Sequence, residues 1–182
     1  MSLERFTRGS ALRTALLLVL GALLGALVFF AGAAGTVLRE SPSRHAGGAV
    51  NRALLDLLDL STYGVAAVAF VLVLVLDRVE PFGKVQKGLA LRLLAVLAAA
   101  AFASHEVITP QMMSLRDRLP TLIGLLPAGD PGRKAWGRLH GFSSGILVVR
   151  IATAAFLFLL LARKRRRTIA TAEVPAGVPP AA

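Results

Sequence analysis

The chain has 182 residues, 55% of them hydrophobic and 17% charged, with a mean hydropathy of +0.69. A soluble domain of this length is less apolar and more charged, so the composition excludes that class and points to an integral membrane protein. The formal charge of +11 gathers at predicted helix ends and termini, where it reads as topology signal and attraction to anionic lipid; with no basic face interleaved with aromatics, no nucleic acid is expected as a partner.

Residues 1–13 form a polar N-terminal segment with Arg5, Arg8 and Arg13, and the apolar run over 14–38 predicts the first spanning helix. That run is longer than the core of a secretory signal and three more apolar spans follow it, so a retained helix is expected. Gly21, Gly25, Gly32 and Gly35, with Ala22 and Ala26, include a Gly-x-x-x-Gly pair. Such a pair either lets another backbone approach closely or reflects how common glycine is in membrane helices.

Glu40 to Gly48 reads as a loop, broken at Ser41-Pro42-Ser43. Helical spacing resumes over 51–77, the second span, and puts Arg52, Asp56, Asp59 and Tyr63 on one face. Two structures fit: an amphipathic interfacial turn before a short span beginning at Ser61, or one long tilted helix whose acidic stripe turns inward. Asp77 to Gly88 is a polar connection. The third span covers 89–109, with Arg92 near one end, His105 and Glu106 near the other, and Pro110 closing it.

Gln111 to Ala135 is expected to be a loop holding a short surface helix between Met112 and Leu126, ended by Pro127, Gly129, Pro131 and Gly132. The fourth span covers 136–162, and 163–182 combines a basic stop cluster with a Pro/Ala-rich tail of disordered composition. The fold class expected is therefore all-α, an integral membrane four-helix bundle over 14–162. With both termini on one side, that side carries twelve Lys and Arg against eight on the other. The positive-inside rule then places both termini in the cytoplasm, as for a protein of the bacterial inner membrane.

Polar residues inside spans are costly in hydrocarbon and mark candidate sites; here they are Asp56, Asp59, Tyr63, His105, Glu106, His140, Ser143 and Arg150. Trp136, His140, Ser143, Leu147, Arg150 and Ala154 repeat at heptad-like spacing, which predicts a stripe facing the bundle interior. Helix rise puts Asp59 ~9 Å and Tyr63 ~3 Å along the axis from Arg150, within an arginine's reach, and makes them its expected partners. Such a set is either an ion pair that fixes helix register or part of an anion or proton pathway.

His105 and His140 each fall ~6 Å inside the same membrane boundary and could meet. With Glu106 they would make an acceptable first shell for Zn, Cu or Fe, and the two imidazoles could clamp a haem. Against this, no His-x-x-His, His-x-x-x-His or Glu-x-x-His spacing occurs within a span; the plainer reading is two interfacial histidines bonded to a loop or a neighbouring helix. The absence of cysteine excludes thiolate metal sites and disulfides. No Gly-rich phosphate loop, Gly-x-Ser-x-Gly elbow or His-Glu-x-x-His motif is present, so an enzyme is not the expected class.

The small-residue first span with Phe29, Phe30 and Gly32, the Thr109-Pro110-Gln111 turn with Arg116, and Trp136-Gly-Arg-Leu-His140-Gly-Phe-Ser143-Ser144 together resemble a four-span family. It is the domain-of-unknown-function family, DUF4149-like, that includes transmembrane protein 205 and its bacterial relatives. The resemblance covers about 14–162 and implies a four-helix membrane bundle. It implies Pro110 as the signature turn, and His140 with Ser143 or Ser144 as the signature of the last helix. The family often has an asparagine one or two turns after that histidine, where this chain has Ile146 to Arg150.

The resemblance carries no biochemical activity. The function expected is a small transport-associated or accessory membrane protein with a polar intramembrane site. The rivals are a His-ligated metal or haem redox protein and a structural partner subunit. Expected partners are membrane lipids, a second copy of the chain or another membrane protein.

Overall fold

The computed structural model describes residues 3–119 and 123–163; the expected C-terminal tail and most of the basic cluster lie outside them. Its elements are α1 (Leu3–Glu40), α2 (Arg44–Val79), α3 (Lys84–Phe102), a π-helical turn (Ala103–Ile108), α4 (Thr109–Arg118), a 3-10 turn (Ile123–Leu125) and α5 (Pro131–Ala162). The π turn joins α3 to α4 without a break. Four helical rods result among the described residues, each long and apolar enough to cross a membrane. Each rod packs on the next in sequence and α5 closes the ring against α1, the up-down arrangement that short connections favour. The chain is an all-α, four-helix integral membrane protein.

Core positions repeat at three and four residues on every rod. Leu16, Leu20, Leu23 and Leu27 are buried on α1; Asp59, Thr62, Ala66, Ala69, Val73 and Leu76 on α2; Ala90, Leu94, Leu97 and Ala101 on α3; Arg150, Ala154, Leu157 and Leu161 on α5. This seam keeps one narrow face of each helix on the bundle axis. The other faces present large apolar side chains such as Leu18, Phe29, Val71 and Leu159 to the lipid.

The helices run beyond the spans expected from sequence, α1 from Leu3 and α3 from Lys84, and at three places a local contact sets the difference. Helix α2 starts at Arg44 because the Ser43 hydroxyl caps it, accepting from Ala46 N at 3.1 Å. The α1–α2 turn is thus short, and α2 is the long single helix of the two alternatives. Gly47 makes the turn possible: a Cβ there would sit 3.0 Å from Leu38 Cα. Helix α5 starts at Pro131, with Asp130 accepting from Gly132 N at 2.7 Å and Arg133 N at 3.2 Å, so the Asp-Pro pair begins a helix where a loop was expected.

Pro110, expected to close the third span, lies inside the rod instead. A proline within a helix withholds one N–H and crowds the carbonyl four residues back. Here the turn directly before it widens to π geometry, with Thr109 N donating to Ser104 O, and the helix continues to Arg118.

Three hydrogen bonds help fix the end of the bundle where α1 begins and α5 ends. Asp77 accepts from Phe82 N at 3.0 Å and from Lys87 Nζ at 2.7 Å, closing the α2–α3 turn. Gln86 donates to Leu160 O at 3.0 Å, tying α3 to α5.

Candidate intramembrane polar site

Arg150 occupies a core position of α5 near the middle of the bundle and is fully buried, 0% exposed. Its guanidinium bonds the Asp59 carboxylate and the Thr62 hydroxyl, and donates to Leu58 O at 3.0 Å. Thr62 in turn donates its own hydroxyl proton to Leu58 O at 2.7 Å, leaving a lone pair for the arginine. Asp59 and Thr62 are also 0% exposed. A charge buried this deep is tolerable only when opposed and hydrogen-bonded. The planar guanidinium fork meets the need by reaching a carboxylate, a hydroxyl and a carbonyl at once.

The pairing is incomplete at two atoms. Asp59 Oδ2 and Arg150 Nε are buried with no protein partner. Ser104, buried in the π turn, and His105 beside it flank the Asp59 carboxylate.

His105 is half-buried and links the centre to the surface. Its Nδ1 lies 3.8 Å from Asp56 Oδ1, and its Nε2 lies 3.8 Å from Glu106 Oε1. Both distances exceed a hydrogen bond. Asp56 is also 3.7 Å from Arg52 Nε, one turn earlier on α2. These residues, with Pro110 and Asp117, line a cleft of about 650 Å³ between α2 and the α3–α4 rod.

The residues expected at the site are thus divided. Asp59 and Arg150 meet, and Asp56, His105 and Glu106 gather one helical turn away. Tyr63 is half-buried and takes no part in the Arg150 hydrogen bonds. The buried stripe of α2 runs through Thr62, about 100° round the helix from Tyr63. His140 is exposed and Ser143 half-buried, which corrects the expectation that the whole α5 stripe faces inward. Toward the α4 end of the bundle, only Gly47 and Leu126 among the described residues are fully buried beyond the Arg150 layer. The heptad phase of Trp136, His140 and Ser143 therefore continues where no closed core remains.

The set His105, Glu106 and His140 is not assembled as a metal shell. Among the described residues no group of three or more His, Cys, Asp or Glu is placed to hold a metal ion. The carboxylates of Asp56 and Glu106 lie against different nitrogens of the His105 ring, so they do not converge on one point with it.

Thr62 and Ser104 are the site residues that the reading of the sequence passed over. A signal existed for both. Thr62 keeps step with Asp59, Ala66 and Ala69, and Ser104 with Leu94, Leu97 and Ala101, so each is a hydroxyl on a core seam.

The family model for a domain of unknown function, DUF4149, matches residues 18–120. The match takes in most of α1, all of α2 and α3, the π turn and α4, and hence Asp59, Thr62 and Ser104; Arg150 lies beyond it. No curated protein and no solved structure matches the chain.

Proposed function

For a chain that belongs to the DUF4149 family, whose description assigns no activity, we propose a small transport-associated or accessory membrane protein that binds a small ion or polar solute at the Asp59–Arg150 centre. One observation carries this reading. A fully buried ion pair in mid-bundle retains unpartnered polar atoms on both members, one turn from a polar cleft. Ionisable groups at such depth are costly and serve function by default. By the positive-inside count the cleft faces away from the cytoplasm of a bacterial inner membrane. A second copy or another membrane protein is the partner class this reading admits.

The test is charge displacement on a solid-supported membrane carrying the reconstituted protein, after jumps in Na⁺, K⁺ or pH. The reading expects a transient current for at least one of these in the wild type and its loss in Asp59→Asn. Its failure is a wild type silent to all three. The structural-subunit reading would then stand, favoured by the zero exposure of the pair and its tie to the Leu58 carbonyl.

A further inference from the structure

We propose that the cleft at the α4 end is the mouth of a one-sided water path, which enters at the π turn past His105 and Ser104 and ends on Asp59 Oδ2 and Arg150 Nε. The inference deepens the ion-binding reading by naming its ligand class, water and the protons water carries. It rests on that reading only for its purpose, not for its geometry.

Three buried polar atoms on neighbouring side chains make no hydrogen bond within the protein: His105 Nδ1, Asp59 Oδ2 and Arg150 Nε. Asp59 and Arg150 side chains are 0% and 1% exposed. The atoms are chemically mixed. A carboxylate oxygen accepts, a guanidinium N–H donates, an imidazole nitrogen does either, and the Ser104 hydroxyl beside Asp59 does both. Water needs two to four such partners and accepts and donates equally well. An anion would have Asp56, Glu106 and Asp117 to pass, opposed by Arg52 and Arg118. A bare metal cation would find Asp59 already neutralised by Arg150.

The direction follows from packing. On the cleft side Asp56, Glu106 and His105 remain 34%, 54% and 29% exposed at their side chains. On the opposite side of the pair the seam is closed by Leu23, Leu97, Ala154 and then a second apolar cluster of leucines, valine and alanines. Water therefore reaches the pair from the α4 end and goes no farther. The π turn belongs to this geometry: π turns are inserted frequently at functional sites, and this one places buried Ser104 and half-buried His105 in adjacent positions.

The chain has no cysteine, so single cysteines report accessibility without background. Ser104→Cys, reconstituted with known orientation, is exposed to Ag⁺ in nitrate buffer on one side, then denatured and labelled with a fluorescent maleimide. Ag⁺ displaces the thiol proton to form the silver thiolate, which blocks the maleimide. The expected result is rapid protection of Ser104→Cys when Ag⁺ is on the α4 side. Asp117→Cys at the cleft rim is the positive reference. Phe156→Cys, facing lipid, is protected at least about a hundredfold more slowly, because an ion has no counter-charge in hydrocarbon.

His105→Cys, at the entrance of the path, carries the same expectation and stands in if Ser104→Cys does not fold. The path is overturned if the folded cysteine variant is as unreactive as Phe156→Cys, or if Ag⁺ reaches it only from the opposite side. A silent wild type in the charge-displacement assay, with Ser104→Cys protected, removes the ion-binding reading and leaves the water path standing.

Discussion

Arg150 sits in the middle of an otherwise apolar helix because three acceptors of different kinds converge on one guanidinium: Asp59, Thr62 and Leu58 O. Lysine has the charge but not the fork. Arg150→Lys is therefore expected to lower stability in detergent by about 1–3 kcal/mol, the cost of leaving buried acceptors unpaired, read as a fall in unfolding temperature. Thr62→Val should fall in the same range, since it removes the hydroxyl while keeping the volume. No change in either variant would remove the hydrogen-bonded fork from the explanation. At this scale the sequence was partly readable. Depth along two helices brings Asp59 to Arg150, because helix rise is a fixed length. Tyr63 was misplaced because the face was drawn through the charged residues Arg52 and Asp56, whereas the buried seam follows the three-four repeat through Thr62.

At the level of elements, local chemistry decides where the rods begin and how closely they approach. Gly47 faces Leu38 Cα and Ser41 at 3.0 Å, while Gly48 has nothing within 4 Å of its would-be Cβ. Gly47→Ala is expected to destabilise by about 1–3 kcal/mol through overpacking against backbone. Gly48→Ala should be neutral or gain up to about 1 kcal/mol from helix propensity. Thermal melts of the two variants side by side check the pair, and equal effects would contradict the close approach at the α1–α2 turn.

Asp130→Ala should cost about 1 kcal/mol by removing the cap of α5. The Asp-Pro start of that helix was legible in principle, but the surrounding glycines and prolines read as a loop. Pro110 misled for a different reason: the widened turn before it depends on neighbouring helices, which a single strand of sequence does not display.

The whole molecule is a four-helix bundle with two unlike halves. From the Arg150 layer to the end where α1 begins and α5 ends, the seams are leucine, valine and alanine, with Thr62 and Thr153 the buried hydroxyls next to the pair among the described residues. From that layer to the α4 end the helices no longer enclose a core, and polar side chains line the opening. Apolar composition and four long runs made the class readable from sequence, since only helices whose backbone bonds are internal can cross lipid in this pattern. The point at which the core stops was not readable. It depends on how the four rods pack on one another along their length, and so His140 keeps its heptad phase in sequence yet lies exposed.

Everything proposed for the molecule rests on Asp59 and Arg150 acting as one buried unit between α2 and α5. The most direct measurement is a double-mutant cycle on unfolding in detergent with Arg150→Met, Asp59→Asn and the two combined. Each single change strands a buried partner and should cost about 3–5 kcal/mol. The combined change should cost less than the sum of the two, by a coupling of about 0.5–3 kcal/mol. Strictly additive losses would contradict the pair.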